Sequence, residues 1–477
     1  MLNRIAEAVS VADDERSFRQ RAGGWVASVR VFVGLLLLYE LTVGGWWKLG
    51  APQLAWPPFE PNPGWVGENA GEVLANAAAG RAIEEGTYSW YAALLEGVVL
   101  PYAGFWSVVA VVAQLAVGLA FVVGFWNRPA AVVGLLYFVP VFHFGTIRTS
   151  PLFGVPIAFL LVTRAGHHYG LDGLIAARSG RLAQLSDRIA TLSVLPRPSR
   201  SVLPGAVAAL SVLSVYYLLS VPGREVTRQA LVGLEVAVML GLVAGGLALY
   251  YRGGEPVAVA ADMVRAFVGY RFLHEVFVRD HAGVNGLPGW ASVDAQAELL
   301  AETIVPAHVG PVATAIETVV LPTLPFWVVV FAAVQTAVGA ALLVGYRTRL
   351  AGTVGAGYLV VLIGLGFVRL APLLFASALV AATLSGRYAS LDAVAGRRPM
   401  PPRLRQQVAA PAAAGAAVLF AGGAILGIDP EAGYGAVVGP VALVMLAFVL
   451  AAIAVAAAGA TKPAAESDPV PDAAATD

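Results

Sequence analysis

Charged residues inside or beside long apolar stretches are the first positions at which this chain could carry chemistry. Each half of the chain has two carboxylates and one guanidinium of this kind: Glu40, Glu96 and Arg148, then Glu275, Glu317 and Arg369. Burying a charge in lipid costs several kcal/mol, so such charges indicate either a functional site or a structural ion pair.

Two interpretations of these charges are open. The first is a polar pocket that binds a polar head group or relays a proton. The second is a structural ion pair that joins neighbouring helices. In both, we expect Glu40 within a few ångströms of Arg148, and Glu275 within the same distance of Arg369. Two arginines, four residues to either side of Glu275, compete for that carboxylate.

Histidine and cysteine offer little further chemistry. The chain has no cysteine, which excludes disulfides, thiolate-held iron–sulfur clusters and cysteine-based zinc sites. His143 and His274 are the histidines inside predicted spans, and His143 corresponds to Gly364 in the second half, so no repeated pair of haem ligands exists. No glycine-rich loop follows a strand pattern, which argues against nucleotide binding. We expect no metal and no cofactor within the chain.

Two glutamines fall in the middle of predicted spans. Gln114 precedes Gly118 by four residues, and Gln335 precedes Gly339 by four residues. Small residues let membrane helices approach closely, and amide side chains form hydrogen bonds between them. We therefore expect both glutamines to hydrogen-bond across a helix contact.

The composition predicts the elements that must position these residues. Of 477 residues, 58% are hydrophobic and 13% are charged, and the mean hydropathy is +0.75. This is too little charge to cover a water-exposed surface. Tyr434–Ala460 has no charged residue at all and exceeds the length that crosses a bilayer. The net charge is zero, so no nucleic acid partner is expected. The chain is predicted to be an all-α integral membrane protein whose partner is the lipid bilayer.

Apolar runs predict about twelve transmembrane helices. They lie near 26–47, 104–126, 129–147, 150–165, 203–221, 230–251, 263–279, 325–346, 350–368, 370–386, 407–427 and 435–459.

An internal repeat relates the first six predicted spans to the last six. Residues 95–134 and 316–355 align without a gap, and 20 of the 40 positions are identical. Because each unit has an even number of spans, both enter the membrane in the same direction. The sequence therefore predicts two parallel six-helix repeats, each with a four-helix module.

Arginine placement predicts the orientation. With the N-terminus inside, the inner segments collect about 22 of the 30 basic residues. The loops 164–200 and 387–405 are then cytoplasmic by the positive-inside rule. We expect a multi-pass protein of the cell membrane with both termini cytoplasmic, and with long outer segments near 48–103 and 280–324.

The expected organisation has six parts. They are a cytoplasmic N-terminal segment without a signal peptide (1–24), a first four-helix module (25–180), an additional helix pair (202–255), a second module (262–398), another helix pair (404–460) and a disordered cytoplasmic tail (461–477).

Four motifs give the chain a resemblance to a known family. They are Arg-x-Phe-Val-Gly at 30–34, Leu-Glu-Gly-Val-Val-Leu-Pro at 95–101, the run from Gln114 to Arg128, and His-Tyr-Gly-Leu-Asp-Gly at 168–173. In these motifs the chain resembles the DoxX/DoxD membrane-protein family, over about 25–180 and 262–398. DoxD-like members are associated with the small subunit of a thiosulfate:quinone oxidoreductase. The resemblance implies a four-helix membrane module that handles quinone.

Three functions are open from the sequence. The first is a redox-associated membrane subunit that takes quinone as substrate and receives electrons from a partner subunit or directly from a substrate. The second is a membrane transporter, since parallel repeats are an architecture that carriers use. The third is a membrane scaffold without turnover. Whether the chain is an enzyme, and its oligomeric state, are not determined by the sequence.

Overall fold

A computed structural model of the chain describes most of the residues before 398. The described ranges are 15–42, 48–49, 61–84, 87–143, 150–194, 200–219, 228–277, 293–308, 310–364 and 371–397, with a few positions between 411 and 422. Every regular element in these ranges is a helix, so the all-α class is confirmed for the described residues.

The α-helices of the described residues are numbered here in chain order. They are α1 (Glu15–Thr42), α2 (Glu72–Asn76), α3 (Ser89–Leu94), α4 (Ala103–Val123), α5 (Asn127–His143), α6 (Ser150–Val162), α7 (Leu171–Ala176), α8 (Arg181–Ala190), α9 (Leu203–Leu219), α10 (Arg228–Tyr251), α11 (Pro256–Phe277), α12 (Val293–Glu298), α13 (Val305–Ala307), α14 (Gly310–Ala315), α15 (Leu324–Val344), α16 (Thr348–Gly364), α17 (Ala371–Leu384) and α18 (Leu391–Arg397).

Four helical stretches are long and apolar enough to cross a membrane. They are Ala22–Thr42, Ser89–Val123, Val232–Tyr251 and Gly310–Val344. The predicted spans up to residue 386 each overlap a helix. The last two, 407–427 and 435–459, lie outside the described residues apart from a few positions.

The two longest stretches change helix type at a proline. A π-helical turn at Leu95–Val99 and a 3₁₀ turn at Leu100–Tyr102 precede α4, and Pro101 lies in the second of these turns. Pro322 lies in the equivalent turn before α15. Proline has no amide hydrogen and its ring clashes with the carbonyl four residues earlier, so regular α-helical hydrogen bonding is interrupted there.

Four helices form the centre of the molecule. α1, α6, α11 and α17 pack against one another, and the rings of Phe32 and Phe375 meet edge to face at 5.7 Å. Around this centre, α4 packs on α1, α5 on α6, α15 on α11 and α16 on α17, while α10 lies between α9 and α11. The outward faces of α4 and α15 are apolar and exposed, as at Phe105 and Phe326, which suits contact with lipid.

Glycines bring α1 against α4 and α11 against α15. A Cβ atom at Gly34 would lie 2.8 Å from the backbone oxygen of Gly118, and one at Gly269 would lie 2.8 Å from that of Gly339. Only glycine allows backbones to approach this closely without a shift. The close approach predicted at Gly118 and Gly339 is confirmed.

Candidate functional site

Motif residues in the first half hold helix ends together. Arg30 Nη1 donates to the carbonyl of Phe121 at 2.5 Å, and its Nη2 donates to the carbonyl of Tyr169 at 3.2 Å. The Asp172 carboxylate accepts the backbone N–H of Trp126 at 2.8 Å, just before α5. Helix ends leave such backbone groups without partners inside the helix, and these side chains supply them.

The second half repeats this arrangement. Arg265 donates to the carbonyls of Leu343, at 3.2 Å, and Ala389. The Asp392 carboxylate accepts the backbone N–H of Thr348 at 2.8 Å, at the start of α16. The arginine and aspartate motifs that carry the family resemblance therefore fix the helix ends in both halves.

Lys48 is the centre of a buried polar cluster in the first half. Its side chain lies between α4 and α5 and is 2% exposed. Its Nζ donates to Gln114 Oε1 at 2.8 Å and to the Tyr137 hydroxyl. Gln114 Nε2 in turn donates to the carbonyl of Leu37 on α1 at 2.9 Å. The interhelical hydrogen bond predicted for Gln114 is confirmed.

Aromatic rings and one carboxylate complete this arrangement. Lys48 Nζ lies 4.6 Å from the ring centroid of Trp65 and 4.8 Å from that of Tyr137, which is the range of cation–π attraction. Glu40, near the end of α1, is 4% exposed, and its charge attracts the Lys48 ammonium. We call Glu40, Lys48, Trp65, Gln114 and Tyr137 the Lys48 cluster.

The second half has the same glutamine and tyrosine in direct contact. Tyr358 donates its hydroxyl hydrogen to Gln335 Oε1 at 2.9 Å, and Gln335 Nε2 donates to the carbonyl of Phe272 at 3.2 Å. In the first half, Lys48 stands between the corresponding amide oxygen and phenol. Within the described residues, only the first half places an ammonium there.

A second charged cluster joins α10 to α11. Arg271 forms ion pairs with Glu235 and with Glu275 Oε1, the latter at 2.6 Å. His274 Nε2 lies 3.5 Å from Glu235 Oε1. The ring centroids of Tyr270 and His274 are 5.4 Å apart. We call these five residues the Arg271 cluster.

The remaining sequence-predicted site residues lie apart from these clusters or outside the described residues. Glu96 and Glu317 are exposed at the second position of equivalent π-helical turns. Arg148 and Arg369 lie outside the described residues. The two expected carboxylate–arginine pairings therefore stay predictions, while Glu275 is observed to pair with Arg271 of its own helix.

Sequence reasoning missed several members of the two clusters. Tyr137 has a counterpart in Tyr358, at the same sequence offset that relates Gln114 to Gln335, and this repeated spacing could have found Tyr137. Glu235 is an isolated carboxylate in the apolar run 230–251, which the rule for intramembrane charge also covers. Among the described residues, no group of histidine and carboxylate side chains could hold a metal ion.

Comparison with protein-family models, curated proteins and solved structures finds no match to this chain. What the molecule does must therefore be inferred from the chemistry of its own residues. The Lys48 cluster combines a buried cation, a phenol, an amide and an indole ring. Of these groups, the ammonium and the phenol are hydrogen-bond donors to acceptor oxygens, and the indole offers a flat apolar face.

Proposed function

We propose that this chain is a redox-associated membrane subunit whose Lys48 cluster binds the head group of a quinone. The observation that carries the proposal is the buried Lys48 ammonium, hydrogen-bonded to Gln114 and Tyr137 and placed beside the Trp65 ring. A quinone head group is a flat ring with two acceptor oxygens. Lys48 and Tyr137 are donors suited to those oxygens, and Trp65 offers a flat apolar surface to the ring.

The charges of the cluster suit reduction of the bound molecule. Electron transfer to a quinone increases negative charge on its oxygens, and an adjacent ammonium stabilises that charge more strongly inside an apolar bundle than in water. The buried Glu40 carboxylate acts electrostatically on the ammonium, and a carboxylate can accept or supply a proton. The electrons come from a partner subunit or directly from a substrate.

The proposal includes the architecture of the whole chain. It has twelve transmembrane helices in two parallel repeats, in the cell membrane, with both termini cytoplasmic. The paired contacts of Arg30 and Arg265 and of Asp172 and Asp392 support the repeat. The resemblance of the same motifs to the DoxX/DoxD family supports the link to quinone chemistry.

A transporter of small anions is the second candidate. A buried ammonium inside a bundle of parallel repeats can also bind a carboxylate or an oxyanion. The two candidates differ in their ligands. A quinone is recognised by its ring as well as its oxygens, whereas an anion needs the charge and the hydrogen bonds alone.

Binding of a short-chain quinone to the protein in nanodiscs tests the proposal. Lys48→Met removes the cation, and Lys462→Met is a matched control because Lys462 is the other lysine of the chain. A hydrogen bond to a charged group contributes about 1.5–3 kcal/mol, so Lys48→Met should weaken binding roughly tenfold to a hundredfold. Lys462→Met should bind as the wild type does.

Two outcomes would overturn the proposal. One is that a folded wild-type protein does not bind the quinone, and the other is that Lys48→Met binds it with unchanged affinity. Uptake of a labelled anion into proteoliposomes, lost in Lys48→Met and not in Lys462→Met, would favour the transporter instead.

A further inference from the structure

One end of the helix bundle carries the α7–α8 segment, which we define as residues 169–190. Trp126, which follows α4 closely, donates its ring N–H to the Ser186 hydroxyl at 3.1 Å. His167 Nε2 lies 2.8 Å from Asp187 Oδ1. These contacts hold α8 beside the end of α4, which completes one of the stretches long enough to cross a membrane. The segment therefore lies at the level where that stretch leaves the membrane.

The α7–α8 segment exposes apolar side chains on two successive helices. Leu171 and Leu174 are exposed on α7, and Leu182 and Leu185 are exposed on α8. The members of each pair are three residues apart, so they share one face of their helix. Leu182 is 83% exposed, and an apolar environment that covers such a side chain is favoured over water.

The apolar face of α7 recurs in the second half of the chain. Leu391 and Val394 are exposed on α18, at positions that correspond to Leu171 and Leu174. Both four-helix modules thus present an apolar helix face at the equivalent place, next to the aspartate that fixes a helix end.

The exposed charged side chains of the α7–α8 segment are all basic. They are Arg178, Arg181 and Arg188. Asp172 is buried and Asp187 is partly buried. Arg181 precedes Leu185 by four residues and Arg188 follows it by three, so both arginines lie next to this leucine on the surface of α8. Arginine stems can stay along an apolar surface while the guanidinium reaches polar groups.

Two exposed aromatic side chains lie at the same end of the bundle. Tyr169, the first residue of the segment, is 90% exposed. The ring of Trp126 is also exposed, and it stacks on Phe125 with 4.8 Å between the ring centroids. Tyrosine and tryptophan favour the headgroup zone of a membrane. Leucines on one face, with arginines and aromatic rings beside them, are typical of helices that lie in a membrane interface.

We propose that the α7–α8 segment lies on the membrane surface and binds the head groups of anionic phospholipids through Arg181 and Arg188. Leu182 and Leu185 then enter the boundary of the acyl chains. The positive charge of the arginines complements the phosphates of the lipid. A second copy of the chain suits this surface less, because a symmetric contact brings the same arginines together. The inference goes beyond the proposed function and does not depend on quinone binding.

Spin labels on single cysteines test the depth of α8, because the chain has no cysteine of its own. Leu182→Cys carries the label on the apolar face. Gln184→Cys is the matched control, since Gln184 is exposed on another face of the same helix. In nanodiscs, the label at Leu182 should collide more often with oxygen, which concentrates in lipid, than with a water-soluble nickel chelate. The label at Gln184 should show the opposite preference. Leu185→Cys repeats the measurement if Leu182→Cys does not fold.

Arginine variants test the recognition of the head group. Binding of phosphatidylglycerol and of phosphatidylcholine to the purified protein is measured by native mass spectrometry. An arginine near an anionic surface contributes about a fivefold preference. Arg181→Gln combined with Arg188→Gln should therefore weaken binding of phosphatidylglycerol about fivefold or more and leave binding of phosphatidylcholine unchanged. Arg181→Lys combined with Arg188→Lys keeps the charge and should keep the preference for phosphatidylglycerol.

Three results would overturn the inference. The first is a label at Leu182 that the nickel chelate reaches as easily as the label at Gln184, because the apolar face is then in water. The second is a label at Leu182 shielded from both reagents, because another protein surface then covers it. The third is unchanged binding of phosphatidylglycerol by the folded glutamine double variant. None of these readouts involves quinone, so they can fail or succeed independently of the proposed function.

Discussion

At the scale of single residues, the most informative comparison is between the Lys48 cluster and its counterpart in the second half. Gln335 and Tyr358 bond to each other directly, whereas Gln114 and Tyr137 both bond to Lys48. In the second half the glutamine–tyrosine contact forms without a lysine. The buried ammonium is therefore an addition of the first half, and the proposed quinone binding gives it a role.

This comparison predicts unequal stability effects for two variants. In the double variant Lys48→Met with Glu40→Gln, Tyr137 can donate to Gln114 directly and no buried carboxylate loses the nearby ammonium, so the free energy of unfolding should stay within about 1 kcal/mol of the wild-type value. In Gln114→Leu, the ammonium loses an acceptor and stays buried, which should cost about 3 kcal/mol or more. Thermal and denaturant unfolding of both variants in the same detergent measures this. Equal losses would show that Lys48 is a structural residue.

A second prediction concerns His168, which follows α6 and lies outside the predicted spans. Burial, followed by the charges of His167 and Arg30, lowers the pKa of His168 below its ordinary value. In the unfolded chain, His168 therefore takes up a proton near the ordinary histidine pKa of about 6.5. In the folded protein, the His168 ring stays neutral at that pH. The stability that this contributes is full above about pH 6.5 and is lost as the pH falls below it.

Thermal unfolding of wild type and His168→Gln near pH 7.5 and pH 5.5, to either side of about 6.5, checks this sign. Acid should lower the melting temperature less in the variant than in the wild type. A variant as acid-sensitive as the wild type would show that other groups cause the loss.

At the scale of helices, the sequence predicts where most of them lie but not what joins them. Each of the ten apolar runs up to residue 386 overlaps a helix, and four helical stretches are long and apolar enough to cross a membrane. α1 nevertheless begins at Glu15, well before the predicted span at 26. Its first residues are largely polar, so they extend the helix without lengthening the apolar run that predicts the span. Contacts such as Arg30 with Phe121 join residues far apart in sequence, and a motif read locally cannot reveal its acceptor.

The glycine contacts between helices give a prediction with an internal control. Gly34→Ala places a Cβ 2.8 Å from backbone atoms of α4, so α1 and α4 must move apart, at a cost of about 1–3 kcal/mol. Gly24→Ala, on the same helix, meets nothing within 4 Å and should be neutral or slightly stabilising. Unfolding of the two variants under the same conditions makes the comparison. A neutral Gly34→Ala would mean that the two helices are not packed this closely.

At the scale of the whole molecule, the orientation in the membrane is predicted from the asymmetric placement of arginines. The segment 171–190, with α7 and α8, has Arg178, Arg181 and Arg188. From these charges the positive-inside rule predicts that this segment is cytoplasmic. The contacts made by the sequence motifs do not depend on this orientation, since a bundle inserted the opposite way has the same internal contacts.

The absence of cysteine makes orientation directly measurable. A cysteine introduced at Ser186, in α8, should not react with a membrane-impermeant thiol reagent in intact cells and should react after the cells are opened. A cysteine at Glu302, in the predicted outer segment, should react in intact cells. Labelling of Ser186→Cys in intact cells would contradict the proposed topology.

The role of Lys48 as a ligand-binding residue can be measured on the unaltered protein, because the chain has two lysines. Protein with isotope-labelled lysine side chains, in nanodiscs, should give two signals by nuclear magnetic resonance, one from Lys48 and one from Lys462. Addition of a short-chain quinone should shift the Lys48 signal in proportion to occupancy and leave the Lys462 signal in place. A Lys48 signal that stays unchanged at saturating quinone would contradict the proposal that this ammonium binds the quinone head group.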